Sequence, residues 1–334
     1  MTITVAVDAN GADLGAAEVA AGAARANART LVFGPAAELS GVDAVDAPLS
    51  IAKAPDPAAA VRSNPQSSIV QAVRAVADGR ADALVAGGST GSALAASLFE
   101  IKRARGIHRP ALAIVVPVPG APFLMLDVGA NTEVRPEHLV QFAHMGAAYM
   151  EVAYGVSSPR VALLSNGEEA TKGTEDVRAA HEALRDMPGF VGNVEGFAVG
   201  SGAADVIVTD GFTGNVALKV MEGTSSVLLG AVRSAATANV RSKLGGLLLR
   251  PALRGMRDEI DPEEAGGAVL LGLRKPVVVP HGSFSARGIA RAIEVAARLV
   301  EEDVVGRTHE RLAAAGALRR SPSAARAASF SDDQ

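Results

Sequence analysis

The sequence predicts an α/β protein: a three-layer α/β/α sandwich around a mainly parallel, mixed sheet. Short runs of Val, Ile and Leu alternate with helical stretches along the chain. Such near-continuous apolar strands belong to sheets that crossover helices cover on both faces. Most of these runs end in a polar, Gly-containing turn: VAVDANGAD, ALVAGGSTG, LMLDVGAN, VALLSNGEE, DVIVTDGFTGN and VVVPHGSFS. Apolar residues make up 49% of 334, enough for a sizeable core, and that core is aliphatic because aromatics are 3% and Trp is absent.

In chain order, the apolar runs place strands at 2–7, 31–33, 49–52, 83–86, 112–116, 124–127, 161–164, 206–209 and 277–279. Helices are expected at 15–28, 67–77, 92–105, 136–154, 175–185, 216–238 and 289–315. Pro136 suits the first helical position, where its missing N–H costs nothing. Glu137 then falls in the first turn, where the helix dipole favours an acid. Residues 216–238 can form a long helix. Residues 241–257, RSKLGGLLLRPALRGMR, combine leucines with arginines, and no acid occurs between Glu222 and Asp258. That mixture suits an interfacial membrane element or an ordinary helical hairpin with solvated arginines. Gly245, Gly246 and Pro251 suggest a bent tip there. The terminal segment 319–334, RRSPSAARAASFSDDQ, lacks apolar periodicity and is expected to be disordered.

Composition excludes several classes. Without cysteine there is no disulfide, Cys-ligated zinc or Cys nucleophile. A net charge of −4 gives no argument for nucleic-acid binding. MTITVAVDANG reads as a strand rather than a signal peptide, and no apolar run reaches the roughly 18 residues of a membrane span.

Turns beyond strand ends are where open α/β sheets bind ligands, and several turns on one edge could line a single polar cleft. Neither VDANGADLG nor LVAGGSTGS fits the dinucleotide fingerprint, and no Walker A sequence occurs, so no cofactor is expected. GGSTG formally matches a nucleophile elbow, with Asp210 and His281 following in hydrolase order. The competing reading is that Ser89 or Thr90 caps the next helix, whose N–H groups bind an anion. Asp8, Asp127 and Asp210 could share a metal only if their loops converge. His108 and His144 read as surface or core residues, and no H-x-x-x-H pair occurs, so no metal is expected. Lys172, in the loop NGEEATKG, can carry an anion as a point charge.

Two long motifs, LMLDVGANTEVRPEHLVQFA and ADVIVTDGFTGNVALKVMEG, together with GIHRPALA, GNVE, Gly266-Gly267 and His281-Gly282-Ser283, resemble a known family in order and content over residues 3–305. It is the bacterial acyl-carrier-protein:phosphate acyltransferase family of phospholipid synthesis, PlsX. The resemblance implies a fold of the isocitrate/isopropylmalate dehydrogenase and phosphotransacetylase group, in a single domain over 1–318 with a protruding helical hairpin near 235–260. It implies a homodimer in the cytoplasm, peripherally associated with the inner face of the cell membrane. Its partners would be acyl carrier protein, inorganic phosphate and a membrane glycerol-phosphate acyltransferase, with no nucleic acid.

It also places the polar turns at the cleft. Lys172 and Asp210 are the expected catalytic pair, Asp210 orienting Lys172 or taking a proton from phosphate. Asp8, Gly88, Ser89, Thr90, Gly91, Asn131, Asn166, Gly167, Asn193, Asn215 and His281 are the expected substrate contacts. Leu247, Leu248, Leu249, Arg250 and Arg254 fall where the family contacts the membrane. Departures sit at site loops: Asn10 and Ala12 replace Met and Gly, Ser89 replaces Asn, and RSNPQSSI replaces a basic run. They leave open a CoA thioester as donor, or a weakly active paralogue that binds the carrier at the membrane.

Overall fold

The computed structural model describes residues 2–319, apart from the side chains of residues 257 and 258. The expected tail over 320–334 lies outside the described residues. Along the chain the elements are β1 (Thr4–Asp8), α1 (Ala16–Arg25), β2 (Arg29–Gly34), β3 (Ala44–Asp46), α2 (Pro57–Ser63), α3 (Ser68–Ala77), β4 (Ala83–Ala86), α4 (Thr90–Glu100), β5 (Ala111–Val116), β6 (Phe123–Leu126) and α5 (Pro136–Tyr154). They continue with β7 (Val161–Ser165), α6 (Glu175–Leu184), β8 (Phe190–Glu195), β9 (Val206–Val208), α7 (Gly211–Thr237), α8 (Val240–Glu259), β10 (Ala268–Leu271), β11 (Val277–Val279), α9 (Ala286–Glu301) and α10 (Val304–Ala314).

The eleven strands form one sheet in the order β3-β2-β1-β4-β11-β10-β5-β6-β9-β7-β8. The pairings are parallel except β11–β10, β10–β5 and β5–β6, so the sheet is mixed and mainly parallel, as expected. The three antiparallel steps reverse its direction midway. β6, β9, β7 and β8 run one way, while β1, β2, β3, β4 and β11 run the other.

Successive strand residues alternate between two cores. Val5, Val7 and Val85 face one core with α1, α5, α6, α9 and α10. Ala6, Leu84 and Ala86 face the other with α2, α3, α4 and the start of α7. These are the expected three layers.

Several local expectations are corrected. Residues 49–52 form no strand; Ile51 is buried, and the chain turns into α2, capped by the Asp56 side chain. β3, β8 and β10 were not expected: β3 is three residues of a part-exposed edge, β8 is interrupted by Gly192, and β10 is the short apolar run AVLL between two glycines. The helix expected over 289–315 is two, split at Asp303. That residue sits in left-handed conformation (φ 47°, ψ 50°), and its side chain caps α10.

The hairpin is longer than residues 235–260, since α7 and α8 cover 211–259. Its turn lies at Ala238 and Asn239, and Asn239 Oδ1 accepts the Ser242 N–H at 2.9 Å. The expected bent tip is therefore also corrected: α8 runs unbroken through Pro251. Gly246 serves close packing instead, for a Cβ there would stand 3.2 Å from Ala236 Cβ.

Asp127, the residue after β6, ties this end of the sheet together. It is fully buried. Oδ1 accepts the N–H groups of Leu112, Gly129 and Ala130, and Oδ2 accepts Asn131 N–H and its side-chain amide, at 2.7–3.1 Å. Helix α7 docks on the same turn: a Cβ on Gly214 would collide with the Asp127 carbonyl oxygen, and one on Gly211 would stand 2.6 Å from the Asn131 carbonyl. Gly214→Ala should therefore destabilise the protein by about 3 kcal/mol or more. Gly223→Ala, in open space on the same helix, should stabilise it by about 0.5–1 kcal/mol. Equal melting temperatures for the two variants would disprove the docking.

Candidate active site

The direction reversal sorts the polar turns into two groups. The turns after β6, β9, β7 and β8 leave one end of the sheet; those after β1, β4 and β11 leave the other. Asp210, Asn215, Asn131, Asn166, Gly167, Lys172 and Asn193 belong to the first group. Asp8, Gly88, Ser89, Thr90, Gly91 and His281 belong to the second. No hydrogen bond or ion pair joins the groups among the described residues, so the expectation of one shared sheet edge is corrected. The cause is the antiparallel β10–β5–β6 segment, invisible in local sequence.

The first group stands on neighbouring strands, about 4.8 Å apart. Asp210 caps α7: Oδ1 accepts Thr213 N–H at 2.8 Å and Oδ2 accepts the Thr213 hydroxyl at 2.7 Å. It makes no bond to Lys172. Asn215 donates to the Val128 carbonyl at 3.1 Å. Asn131 is buried and donates to Asp127 and the Pro110 carbonyl. These two asparagines brace the β6–α5 turn.

The β7–α6 turn carries Lys172. Asn166 Oδ1 accepts Gly173 N–H at 2.9 Å. Asn193 donates to the Glu169 carbonyl at 2.9 Å and pairs with His181 through Oδ1. The Lys172 stem lies across Gly167, where a Cβ would stand 2.6 Å from Lys172 Cγ. Lys172 is exposed, and no carboxylate lies within 4.0 Å of its ammonium among the described residues. The sequence marks the Ser165–Gly167 loop, Ser-Asn-Gly where the family has Asn-x-Gly, without a role for Ser165, and gives no signal for Glu169. Ser165 Oγ is buried without a hydrogen-bond partner among the described residues. It faces Gly173, whose absent Cβ would stand 3.0 Å away. Glu169 Oε2 lies 3.0 Å from the same kind of position on Gly167. A polar residue ending an apolar strand was the available signal for Ser165.

In the second group Asp8 is buried and accepts Asn10 N–H at 3.3 Å. Burial pushes its carboxyl up to about 7, against the pull of the Ser68 hydroxyl and Asn10 N–H. Gly88 is pressed by the Asn10 carbonyl, 3.0 Å from where its Cβ would be. Ser89 Oγ caps α4 by accepting Ser92 N–H at 3.4 Å. Thr90 opens α4, and Gly91 packs against Pro57. His281 is exposed, and its Nδ1 pairs with Ser283 Oγ at 2.8 Å. With Ser89 capping, His281 paired elsewhere and Asp210 in the other group, the hydrolase triad is not assembled.

Asp8, Asp127 and Asp210 do not converge on a metal. Among the described residues one group of three potential ligands exists: His108, Glu137 and His138. His138 Nδ1 accepts Arg135 N–H at 3.1 Å, which fixes the proton on Nε2 in the neutral ring and leaves no free lone pair for a metal.

A family model described as fatty acid synthesis protein matches residues 3–307. A phosphate acyltransferase of Heliobacterium modesticaldum is 46% identical over 274 residues, 82% of each chain. One from Geobacillus thermodenitrificans is 40% identical over 318 residues, covering 91% of this chain and 97% of the relative. The chain belongs to the phosphate acyltransferase family, PlsX. It is an enzyme of that class. A phosphotransacetylase from Streptococcus pyogenes shares the fold, with TM-score 0.60 at 19% identity over 90% of this chain and 94% of the other. So does 4-hydroxythreonine-4-phosphate dehydrogenase from Klebsiella pneumoniae, with TM-score 0.52 at 14% identity over 90% of this chain and 100% of the other. These likenesses match the expected dehydrogenase-like and phosphotransacetylase-like architecture. Among the described residues no helix is long and apolar enough to cross a membrane.

Two buried groups give the phosphate acyltransferase opposing pH dependences. Between about pH 4 and 7 native Asp8 keeps its proton while the unfolded chain has lost it, so stability falls as pH rises. Burial, reinforced by Arg311, lowers His144 to about 4, so its contribution is lost as pH falls from 6.5 toward 4. Asp8→Asn should remove the first slope. Its stability relative to the wild type should climb by up to about 1.4 kcal/mol per pH unit across that window. Denaturant melts at pH 4, 5.5 and 7 measure this, and a constant difference would show that Asp8 is ionised throughout.

Proposed function

We propose that this phosphate acyltransferase moves a fatty acyl group from acyl carrier protein to inorganic phosphate, yielding acyl phosphate for phospholipid synthesis. The observation that carries the site assignment is the β7–α6 turn, where exposed Lys172 has no carboxylate within 4.0 Å among the described residues and the Ser165 hydroxyl is buried without a hydrogen-bond partner. A phosphate oxygen attacks the thioester carbonyl, the tetrahedral oxyanion collapses, and the thiolate leaves and takes the proton that phosphate brought. Lys172 offsets the phosphate and oxyanion charge, while Asn166, Gly167 and Asn193 hold its turn. A thioester is already activated, so no covalent enzyme intermediate is required. That agrees with a chain lacking cysteine and with Ser89 acting as a helix cap.

A CoA thioester is the second reading for the donor. Asn10, where the family has Met, donates to the Pro48 carbonyl at 2.9 Å and so ties the β1 turn to the segment before α2. Assays with carrier-bound and CoA-bound acyl donors distinguish the two. With the preferred donor, Lys172→Ala should lower acyl-phosphate formation about a hundredfold or more, while Ser89→Ala keeps substantial activity. A trapped acyl group on Ser89, seen by mass spectrometry, would overturn this mechanism.

We further propose that the enzyme is a homodimer in the cytoplasm that rests on the inner face of the cell membrane and hands acyl phosphate to a membrane glycerol-phosphate acyltransferase. The support is α8. Val240, Leu244, Leu247 and Leu248 follow i, i+4, i+7, i+8 spacing and are 61–82% exposed. Arg241, Lys243, Arg250 and Arg254 are exposed on the same helix, and Leu249 adds apolar surface. Leu248 lies about 12 Å from the start of α8, so the helix would lie along the headgroup boundary rather than enter it tip first. Each basic residue near an anionic surface contributes about 1 kcal/mol. Leu247→Glu with Leu248→Glu should abolish co-sedimentation with anionic vesicles and spare turnover of soluble donor. Vesicle binding that survives while the dimer dissociates would make this stripe a subunit interface instead.

A further inference from the structure

The segment before β5 carries a charge feature that the acyl-transfer chemistry does not use. Residues 101–110, IKRARGIHRP, hold four cations and no acid. Lys102, Arg103, Arg105 and Arg109 are exposed. Arg274 joins them from the β10–β11 loop and Arg319 from the end of the described chain, both exposed. Among the described residues none of these six has a carboxylate within 4.0 Å; Arg135 beside them reaches Glu137 only at 4.0 Å.

The face is rigid. Ala104 N–H donates to the Gly272 carbonyl at 2.9 Å, and Arg274 N–H to the Lys102 carbonyl at 3.1 Å. Gln141 pins the loop from α5: it accepts His108 N–H at 2.8 Å and donates to the carbonyls of Gly106 and Ala317. Arg319 N–H closes the far side on the Gly106 carbonyl. Lys102 is held in left-handed conformation (φ 69°), which a long side chain rarely adopts. Arg103, Arg319 and Arg135 all bear on His108, whose pKa is lowered chiefly by burial, with Glu137 opposing.

Position ties the face to the first group of turns. β5 begins at the sheet end where β6 finishes, as the Ala113–Leu126 pairing requires. The Asn131 side chain donates to the carbonyl of Pro110, the residue after Arg109. We propose that this cationic face docks an acidic protein surface, that of the carrier presenting the acyl thioester; the inference rests on the carrier-donor reading above. Unpaired arginines on a fixed platform steer an oppositely charged partner and set its register. A second copy of this chain would bring like charges together at a two-fold contact. Single-stranded nucleic acid would want aromatic stacking platforms, and residues 101–110, 272–275 and 317–319 contain no Phe, Tyr or Trp.

The test uses the full chain and two variants, Arg105→Glu with Arg109→Glu, and Arg319→Glu alone. None of these side chains makes a described side-chain hydrogen bond, so both variants should melt within a few degrees of the wild type. With the acyl-carrier donor, KM should rise tenfold or more at low salt while kcat holds. The gap should close as salt is raised. An unchanged KM, or a loss of kcat at constant KM, would overturn the proposal. Calorimetric titration with acyl-free holo carrier separates it from the donor reading. If the wild type makes no acyl phosphate from the carrier donor but binds carrier, and the variants do not, the donor reading fails and the docking face stands. Absence of carrier binding to the wild type overturns the face. So does a single-stranded oligonucleotide that the variants lose while still binding carrier.

Discussion

The buried carboxylate of Asp127 is the constraint on which the site end of the sheet depends. Five hydrogen bonds converge on two oxygens that have no water to fall back on. They join the start of β5, the end of β6 and the turn to α5 into one piece. Burial pushes this carboxyl upward while the bonds pull it down. Its backbone carbonyl is also the surface on which Gly214 seats α7. The position of Asp210, the entry of the long hairpin and the anchoring of the cationic loop through Pro110 all follow from this residue.

The polar side chains nearby divide into those that hold the backbone and those that make no such bond. Asn131, Asn193 and Asn215 spend their amides on backbone carbonyls, and Asp210 spends its oxygens on Thr213. Lys172 and the Ser165 hydroxyl are left without such partners. Satisfied amides fix the backbone of the turn that carries Lys172, so little backbone reorganisation is needed when charge develops. The glycines of the β4–α4 turn have a different cause. Gly88 and Gly91 are crowded by Asn10 and Pro57, so close backbone approach accounts for them.

The hairpin and the cationic face are opposite kinds of surface. On α8 the side chains of Val240, Leu244, Leu247, Leu248 and Leu249 stand exposed among the described residues, which a single protomer in water would not favour. Before β5 the charges have no counter-ions among the described residues, although hydrogen bonds pin the backbone that carries them. Both surfaces are complete as structures and incomplete as contacts.

The sequence alone determined the layering. Runs such as VAVD, ALVA and VVV can be buried only on both faces, and nine apolar runs separated by helical stretches leave few other architectures. It also determined the family, through two long motifs whose residues prove to be the Asp127 turn and the Asp210 cap. Pro136 at the start of α5 and the strands at 83–86 and 277–279 were legible because their causes are local. Tertiary structure alone decided the sheet direction, since antiparallel pairing of β10 with β5 and β11 depends on partners more than 150 residues apart or on a local return indistinguishable from a crossover. For that reason the turns after β1 and β4 part from those after β7 and β9. Tertiary structure also decided which asparagines brace the turns and that the Ser165 hydroxyl is left without a partner among the described residues, because hydrogen-bond satisfaction is a property of neighbours in space.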